Sequence, residues 1–201
     1  MDYVTADLHF GHTNLIKFPE RNQFKTIDEH DEYVIRRLNS VLKPEDTLYI
    51  LGDVGFRSRG GQTLAQLGQK IRRIECARKV LVMGNHDKLS PIEAQTVLGF
   101  DEVHRGPMYY EHEEAHGKII LSHEPVREAL NNPYVINVHG HIHNYKLNLD
   151  GFYNVNIGMT GFAPIPMGRF VALARNKKGR TEQFGHEWYS EAYVLSEGES
   201  K

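Results

Sequence analysis

Five short apolar segments recur along the 201-residue chain, and each is followed by a polar side chain that can bind a metal ion. The segments are rich in Val, Ile, Leu and Tyr, which is typical of strands buried on both faces. Helical patterns separate the early segments, so the sequence predicts an α/β protein with sheets layered between helices. The predicted strands span residues 3–6, 47–51, 79–83, 118–121 and 135–138.

Three helices are predicted from apolar side chains at helical spacing. The first spans residues 27–42, and Thr26 and Glu29 form a capping box at its start. The second spans residues 63–74, and a shorter third begins at the Ser-Pro-Ile-Glu segment that opens with Ser90. Strands are expected to dominate the second half of the chain, with a hairpin of 108–112 and 118–121 and further strands at 153–157 and 170–174.

Composition and charge narrow the class of protein. The net charge of −2 gives no long-range attraction to nucleic acid, so the charge does not suggest such a partner and does not exclude one. Cys76 has no partner for an intramolecular disulfide, and the chain shows neither a leader pattern nor an apolar run long enough for a membrane span. We therefore expect a cytoplasmic protein that does not enter a membrane. Residues 1–195 are expected to form one domain, and residues 196–201 a frayed tail.

Metal-ligating side chains follow the predicted strands at the point where each strand ends. In open α/β sheets, ligands bind in the crevice outside the carboxyl ends of the strands, so these side chains should converge in space. Taken singly, each would more often be a hydrogen-bonded residue without function, but five coincidences at five strand ends point to one site. The candidate ligands are Asp7, His9, Asp53, Asn85, His123, His141 and His143.

The chemistry of this set selects the ions that it could hold. Carboxylates, imidazoles and an amide carbonyl without a thiolate suit Mn, Fe, Zn, Ni or Mg, of which Mn is favoured here. The set is too large for one ion with four ligands, whereas two ions could share it. In hydrolytic sites such ions lie about 3.5–4 Å apart and activate a water for in-line attack. Asp53 is the expected bridging carboxylate, because it stands in the middle of the set.

The five motifs, taken in order, resemble a known family. DLH at residue 7, GD at residue 52, GNHD at residue 84, a separate histidine at 123 and GHIH at residue 140 are similar to the motifs of the calcineurin-like metallophosphoesterases. The opening DLHFGH resembles small single-domain bacterial and phage members. The resemblance implies a four-layer αββα sandwich, in which two stacked mixed β-sheets are flanked by helices. It covers the chain from Asp7 to His143, and no motif departs from the family pattern.

The resemblance also implies roles for individual residues. The first metal would be held by Asp7, His9, Asp53 and His143, and the second by Asp53, Asn85, His123 and His141. His86 would be the general acid or a phosphate contact, oriented by Asp87. From the residues themselves, His12 and Arg57 are candidates for contact with substrate. His12 could equally support a ligand, and Arg57 lies on a glycine-rich loop where solvation alone would explain it.

Hydrolysis of a phosphomonoester or phosphodiester, nucleotides included, is therefore the expected function. One alternative is a phosphoesterase-like scaffold that binds a partner without catalysis, although every ligand position is filled. Another is a nuclease, although the chain leaves little room for a DNA-binding extension. The natural substrate, the native metal and the oligomeric state are left open by the sequence.

Overall fold

The computed structural model describes residues 1–57 and 61–175. Strands and helices alternate along the first part of the chain, and the strands form two β-sheets. The strands are β1 (Asp2–Thr5), β2 (Thr47–Leu51), β3 (Arg78–Val82), β4 (Glu102–His104), β5 (Met108–Tyr110), β6 (Lys118–Leu121), β7 (Val135–His139), β8 (Phe152–Asn154) and β9 (Ile165–Pro166). The helices are α1 (Ile27–Asn39), α2 (Leu64–Arg72), α3 (Pro91–Glu93), which continues into a π-helical turn at Ala94–Leu98, and α4 (Gly168–Arg175).

Both sheets are mixed. The first has the order β4-β3-β2-β1-β9, and the second has the order β5-β6-β7-β8. Strands β1 to β4 run parallel and β9 runs antiparallel to β1, whereas β6, β7 and β8 run parallel and β5 pairs antiparallel with β6. Beyond β1, Ala6 forms an isolated parallel bridge with Asn156, and this bridge joins the chain after β1 to the chain after β8. The carboxyl ends of the parallel strands in both sheets therefore meet.

Two buried clusters account for the layers. One cluster lies between the first sheet and helices α1 and α2, and it includes Leu38, Leu48 and Ile71. The other lies between the two sheets, where side chains such as Val82 and Val138 pack against each other. Such face-to-face packing buries the apolar strands on both faces, as their composition predicts. The expected sandwich of two mixed sheets with flanking helices is confirmed.

Most predicted elements form, but one has the wrong type. Residues 170–174 were predicted as a strand, and they belong to α4. Phe170, Val171 and Ala174 are the buried residues of this helix, and their spacing of one and three residues is helical rather than alternating. A five-residue apolar run does not distinguish the two periods, because it is shorter than two helical turns. The short strands β4 and β9 were not predicted.

The predicted single domain at residues 1–195 remains a prediction, and the tail expected at residues 196–201 lies outside the described residues. None of the helices in the described ranges combines the length and the apolar character that a membrane crossing requires.

Candidate metal centre

Three candidate ligands from three strand ends meet at the junction of the sheets. Asp7 follows β1, Asp53 follows β2 and His123 follows β6, and each offers a ligand atom within 4.8 Å of the other two. The side chains are almost fully buried, with exposed fractions of 0%, 2% and 4%. Burial raises the pKa of Asp7, while His123 opposes that effect. Two buried carboxylates this close need a cation between them or beside them.

The hydrogen bonds of His123 orient its ring toward the carboxylates. Its Nδ1 lies 2.9 Å from the main-chain oxygen of Leu51, which can only accept, so Nδ1 carries the proton. In the neutral ring, Nε2 then presents a lone pair, 3.5 Å from Asp53 Oδ2 and 2.8 Å from Asn85 Oδ1. Lone pairs that face one another at these distances repel unless a cation lies among them. This arrangement fits a metal ion.

Asn85 and His141 complete one side of the site. Asn85 Oδ1 lies 3.1 Å from His141 Nδ1, and that nitrogen lies 3.1 Å from His123 Nε2. The backbone N–H of His141 also donates to both carboxylate oxygens of Asp7, each at 3.1 Å. Asn85 follows β3 and His141 follows β7, so this group draws on both sheets.

His9 and His143 form a second group near Asp53. Among the residues that the structure describes, the buried Nε2 atom of His9 has no hydrogen-bond partner, and it lies 3.8 Å from Asp53 Oδ2. The rings of His9 and His143 are 5.2 Å apart. Burial, followed by the charge of Arg21 and the proximity of His143, holds the pKa of His9 well below its ordinary value. A neutral imidazole with an unpartnered nitrogen in such a place is suited to binding a metal.

The backbone at the candidate ligands is strained in a consistent way. Positive φ angles occur at Asp7 (58°), His9 (51°), Asp53 (51°), His141 (68°) and His143 (50°). L-residues rarely adopt this left-handed conformation, and such strain concentrates at functional sites where the surrounding structure enforces it. The conformation aims side chains from consecutive loops into one crevice.

Glycines permit the close approach of these loops. A Cβ atom at Gly140 would lie 2.6 Å from Asp7 Oδ2, and one at Gly84 would lie 2.4 Å from Asp53 Oδ1. Both distances are far below van der Waals contact. The glycines of the GHIH and GNHD motifs are therefore required by the space beside the two carboxylates.

Two further residues hold Asp7 in place, and neither belongs to a motif of the sequence. The Arg21 side chain is fully buried, and its guanidinium donates to the main-chain oxygen of Asp7 at 2.8 Å. The side-chain amide of Asn156 donates to Asp7 Oδ2 at 2.8 Å. The sequence pattern places Asn156 only within the predicted strand at residues 153–157. Arg21 follows Pro-Glu in a polar stretch, where nothing in the pattern distinguishes it from a solvated charge.

The two candidate catalytic residues take different positions. His86 is exposed at the rim, its ring 6.0 Å from that of His9, while its backbone N–H donates to Asp53 Oδ1 at 2.9 Å. The carboxylate of Asp87 is buried and accepts hydrogen bonds from the backbone N–H groups of Asp53, Val54 and Gly84 at 2.8–3.0 Å. Burial raises the pKa of Asp87 to about 6. The contacts of Asp87 thus fix the ends of β2 and β3, whereas the resemblance implied that it orients His86.

The two candidate substrate contacts lie near the same rim. The His12 ring stacks on Phe56, with centroids 4.7 Å apart, and lies 5.7 Å from the ring of His9. Burial, followed by the neighbouring His86, lowers the pKa of His12. The guanidinium of Arg57 donates to the main-chain oxygen of Lys88, on the turn that carries His86.

The sequence has recognisable relatives. The sequence model of calcineurin-like phosphoesterases matches residues 3–193. The Gene 66 protein of Mycobacterium phage L5 is 32% identical over 164 residues, which cover 70% of this chain and 76% of the phage protein. An uncharacterized protein of Methanocaldococcus jannaschii is 26% identical over 188 residues, covering 88% and 92% of the two chains.

A solved structure is also similar. The crystal structure of a protein of unknown function from Aquifex aeolicus aligns with a TM-score of 0.63 at 28% sequence identity. The alignment covers 86% of this chain and 98% of the Aquifex chain. The similarity therefore extends over the sheets and loops that carry the candidate ligands.

Proposed function

Because this chain belongs to the calcineurin-like phosphoesterase family, we propose that it uses two divalent metal ions to hydrolyse phosphomonoesters or phosphodiesters, nucleotides included. Membership of this family supports metal-dependent hydrolysis of a phosphate ester in general, and the buried group of Asp7, Asp53 and His123 suits a divalent ion. The number of ions, their identity and the substrate are the parts of the proposal that need testing. Manganese is the ion that we favour for the first experiments.

One observation carries the dinuclear proposal: Asp53 lies close to two separate groups of candidate ligands. Asp53 Oδ2 lies 3.8 Å from His9 Nε2 and 3.5 Å from His123 Nε2. His143 accompanies His9, and Asn85 and His141 accompany His123. A single carboxylate within reach of both groups is what a bridging role requires.

The residues of this chain would divide the work among themselves. Ions bound here would supply Lewis acidity toward the phosphoryl group and lower the pKa of water. The carboxylates of Asp7 and Asp53 would balance the charge of the ions, and Asn156 and Asp87 would hold those two residues in place through hydrogen bonds. His86, which is exposed at the rim, would contact a phosphate oxygen or the leaving oxygen.

Aromatic rings beside the site favour a substrate in which the phosphate ester carries a planar group. Phe18 is 42% exposed, and its ring meets that of His143 edge-on with centroids 5.6 Å apart. Phe56 lies on another side, stacked on His12 and 6.3 Å from the ring of His86. The exposed ring of Phe18 could stack with a nucleobase or an aryl group, and the half-buried ring of Phe56 would add an apolar contact.

The proposal is tested by counting ions and then screening substrates. Metal-free protein saturated with Mn²⁺ should bind two ions per chain, measured by elemental analysis after removal of free metal. The loaded protein should hydrolyse members of a panel of aryl, mono-, di- and cyclic-nucleotide esters, and an Asp53→Asn variant should not. One ion at saturation would contradict the dinuclear site. Two ions without hydrolysis of any ester would favour the alternative of a non-catalytic scaffold.

The role of His86 has its own test. If His86 donates a proton to the leaving group, His86→Ala should lose about 10²–10⁴-fold on nucleoside or alkyl esters. The loss on nitrophenyl esters should be much smaller, because nitrophenolate leaves without a proton. Equal losses on both ester types, with metal content unchanged, would assign His86 to stabilising phosphate charge instead.

A further inference from the structure

Glu20 is a buried carboxylate for which the proposed chemistry has given no role. It lies in a one-turn helix, Pro19–Arg21, just before the arginine that holds Asp7. Its side chain is 6% exposed, and neither carboxylate oxygen has a hydrogen-bond partner among the described residues. Burial opposes the charge of Glu20, but the neighbouring His143 and then Arg21 act against that effect, so the pKa of Glu20 is lowered and its charged form is favoured. A charged, enclosed carboxylate whose oxygens are free to accept is suited to hold an N–H that is turned toward it.

The nearest candidate partner is one of the metal-ligand histidines. Glu20 Oε1 lies 3.8 Å from His143 Nδ1. This separation is about 1 Å longer than a charge-assisted N–H···O hydrogen bond, so a small rotation of either side chain closes it. The backbone limits the alternatives, because a Cβ atom at Gly158 would lie only 3.1 Å from Glu20 Cγ. Glu20 is therefore enclosed beside the imidazole.

The orientation of His143 gives the contact its chemical meaning. Since Nδ1 faces Glu20, Nε2 is the nitrogen left free for a metal ion. Histidines that bind metals commonly donate their other N–H to a carboxylate, which fixes the tautomer and ring orientation and makes the ligating nitrogen more basic. On the far side of the ring, His9 packs at 5.2 Å and Phe18 at 5.6 Å, so the imidazole is held between three groups.

We propose that Glu20 is the positioning residue for His143, holding its Nδ1–H so that Nε2 binds the ion on the His9 side of Asp53. This inference rests on the proposed dinuclear site. It assigns to the Pro19–Arg21 turn two tasks in that site, since Arg21 holds the main chain of Asp7 and Glu20 orients His143. It also gives the buried carboxylate a donor when the ion is bound.

The experiment is a Mn²⁺ titration of metal-free protein by calorimetry, with Glu20→Gln, His143→Ala and the double variant. Glu124→Gln is the matched control, because it removes the same charge from an exposed side chain next to His123. Glu20→Gln should weaken one of the two Mn²⁺ sites about 10–100-fold and leave the other within twofold. In the His143→Ala background, Glu20→Gln should have no further effect on Mn²⁺ affinity. Thermal unfolding of the metal-free variants should show that Glu20→Gln and Glu124→Gln are both folded at the titration temperature, so that a lower Mn²⁺ affinity does not come from unfolding.

The outcomes separate this inference from the proposed function. If the wild-type protein does not bind two ions, the proposed dinuclear site fails, and the role of Glu20 fails with it. If the wild type binds two ions and Glu20→Gln matches Glu124→Gln, only the role of Glu20 is overturned. Additive losses in the double variant, or complete loss of one ion from Glu20→Gln alone, would make Glu20 an independent ligand rather than a positioning residue.

Discussion

Replacing Arg21 by Met should destabilise the metal-free protein strongly, although the new side chain has a similar length. The guanidinium is fully buried and makes two short contacts, 2.8 Å to the main-chain oxygen of Asp7 and 2.7 Å to Nε2 of His30. Longer contacts reach the main-chain oxygen of Leu8 at 3.5 Å and Asn156 Oδ1 at 3.4 Å. A methionine would leave the main-chain oxygen of Asp7 and Nε2 of His30 buried and without this donor, whereas Asn156 Oδ1 would keep the backbone N–H of Gly158 at 2.8 Å.

The size of the effect follows from the two short contacts. Hydrogen bonds from a charged donor contribute about 1.5–3 kcal/mol each, and an acceptor left buried without its donor costs about 1–3 kcal/mol. We therefore expect Arg21→Met to lower the free energy of unfolding by about 3–5 kcal/mol. For a domain of this size, each kcal/mol lowers Tm by about 2–4 °C, so Tm should fall by roughly 6–20 °C.

The assay is urea and thermal unfolding of metal-free protein, with Arg36→Met as the control. Arg36 is exposed on α1, where its guanidinium lies 6.0 Å from the ring of Tyr33. Its replacement should change the free energy of unfolding by no more than about 1 kcal/mol. If Arg21→Met and Arg36→Met unfold at the same urea concentration with the same slope, the buried guanidinium does not stabilise the fold as argued.

Three further predictions concern pH, the bridging carboxylate and the glycine beside Asp7. Burial lowers the pKa of His30 from its ordinary 6.5; the hydrogen bond to Asp31 opposes this effect, and the charge of Arg21 adds to it. The unfolded chain then takes up a proton below pH 6.5 that the folded chain does not, so the free energy of unfolding of the metal-free protein should fall as the pH falls through that value. His30→Gln should reduce the difference between the free energies of unfolding measured in urea at pH 7.5 and at pH 5.5. An unchanged difference would contradict this prediction. Asp53→Asn should weaken both Mn²⁺ sites in a calorimetric titration, whereas His143→Ala should chiefly weaken one; equal, mild losses would refute the bridge. Gly140→Ala should abolish tight Mn²⁺ binding, because its Cβ would lie 2.6 Å from Asp7 Oδ2, and normal binding would show that the loop can move aside.

The ligands were predictable because they follow strands, and the carboxyl ends of parallel strands lie together at one edge of a sheet. Asp7 and Asp53 stand immediately after apolar runs whose parallel pairing follows from the fold class. His123 belongs to the second sheet, and its distance from Asp7 and Asp53 depends on how the two sheets stack. The order of the motifs indicated that stacking, whereas the pattern of strands alone did not. The sequence therefore specified the site through local motifs and a short list of possible topologies.

The supporting residues could not be predicted in the same way. Glu20 and Arg21 lie in a polar stretch, and only the tertiary structure reveals that both side chains are buried. The role of Asp87 also depends on geometry, since its buried carboxylate accepts three main-chain N–H groups rather than facing the imidazole next to it. The error at α4 has a local cause, because a short apolar run fits a strand or a helix equally well.

The left-handed backbone at five candidate ligands has a consequence for selection and for engineering. Each such residue costs about 1–3 kcal/mol, so the set together costs about 5–15 kcal/mol, which equals the whole net stability of a typical domain. Glycine at these positions would relieve that cost and remove the metal centre in the same step. A library of this protein screened for heat resistance alone should therefore accumulate changes at Asp7, His9, Asp53, His141 and His143. Persistence of these five residues in a lineage is evidence of selection for the chemistry, because selection for folding acts against them.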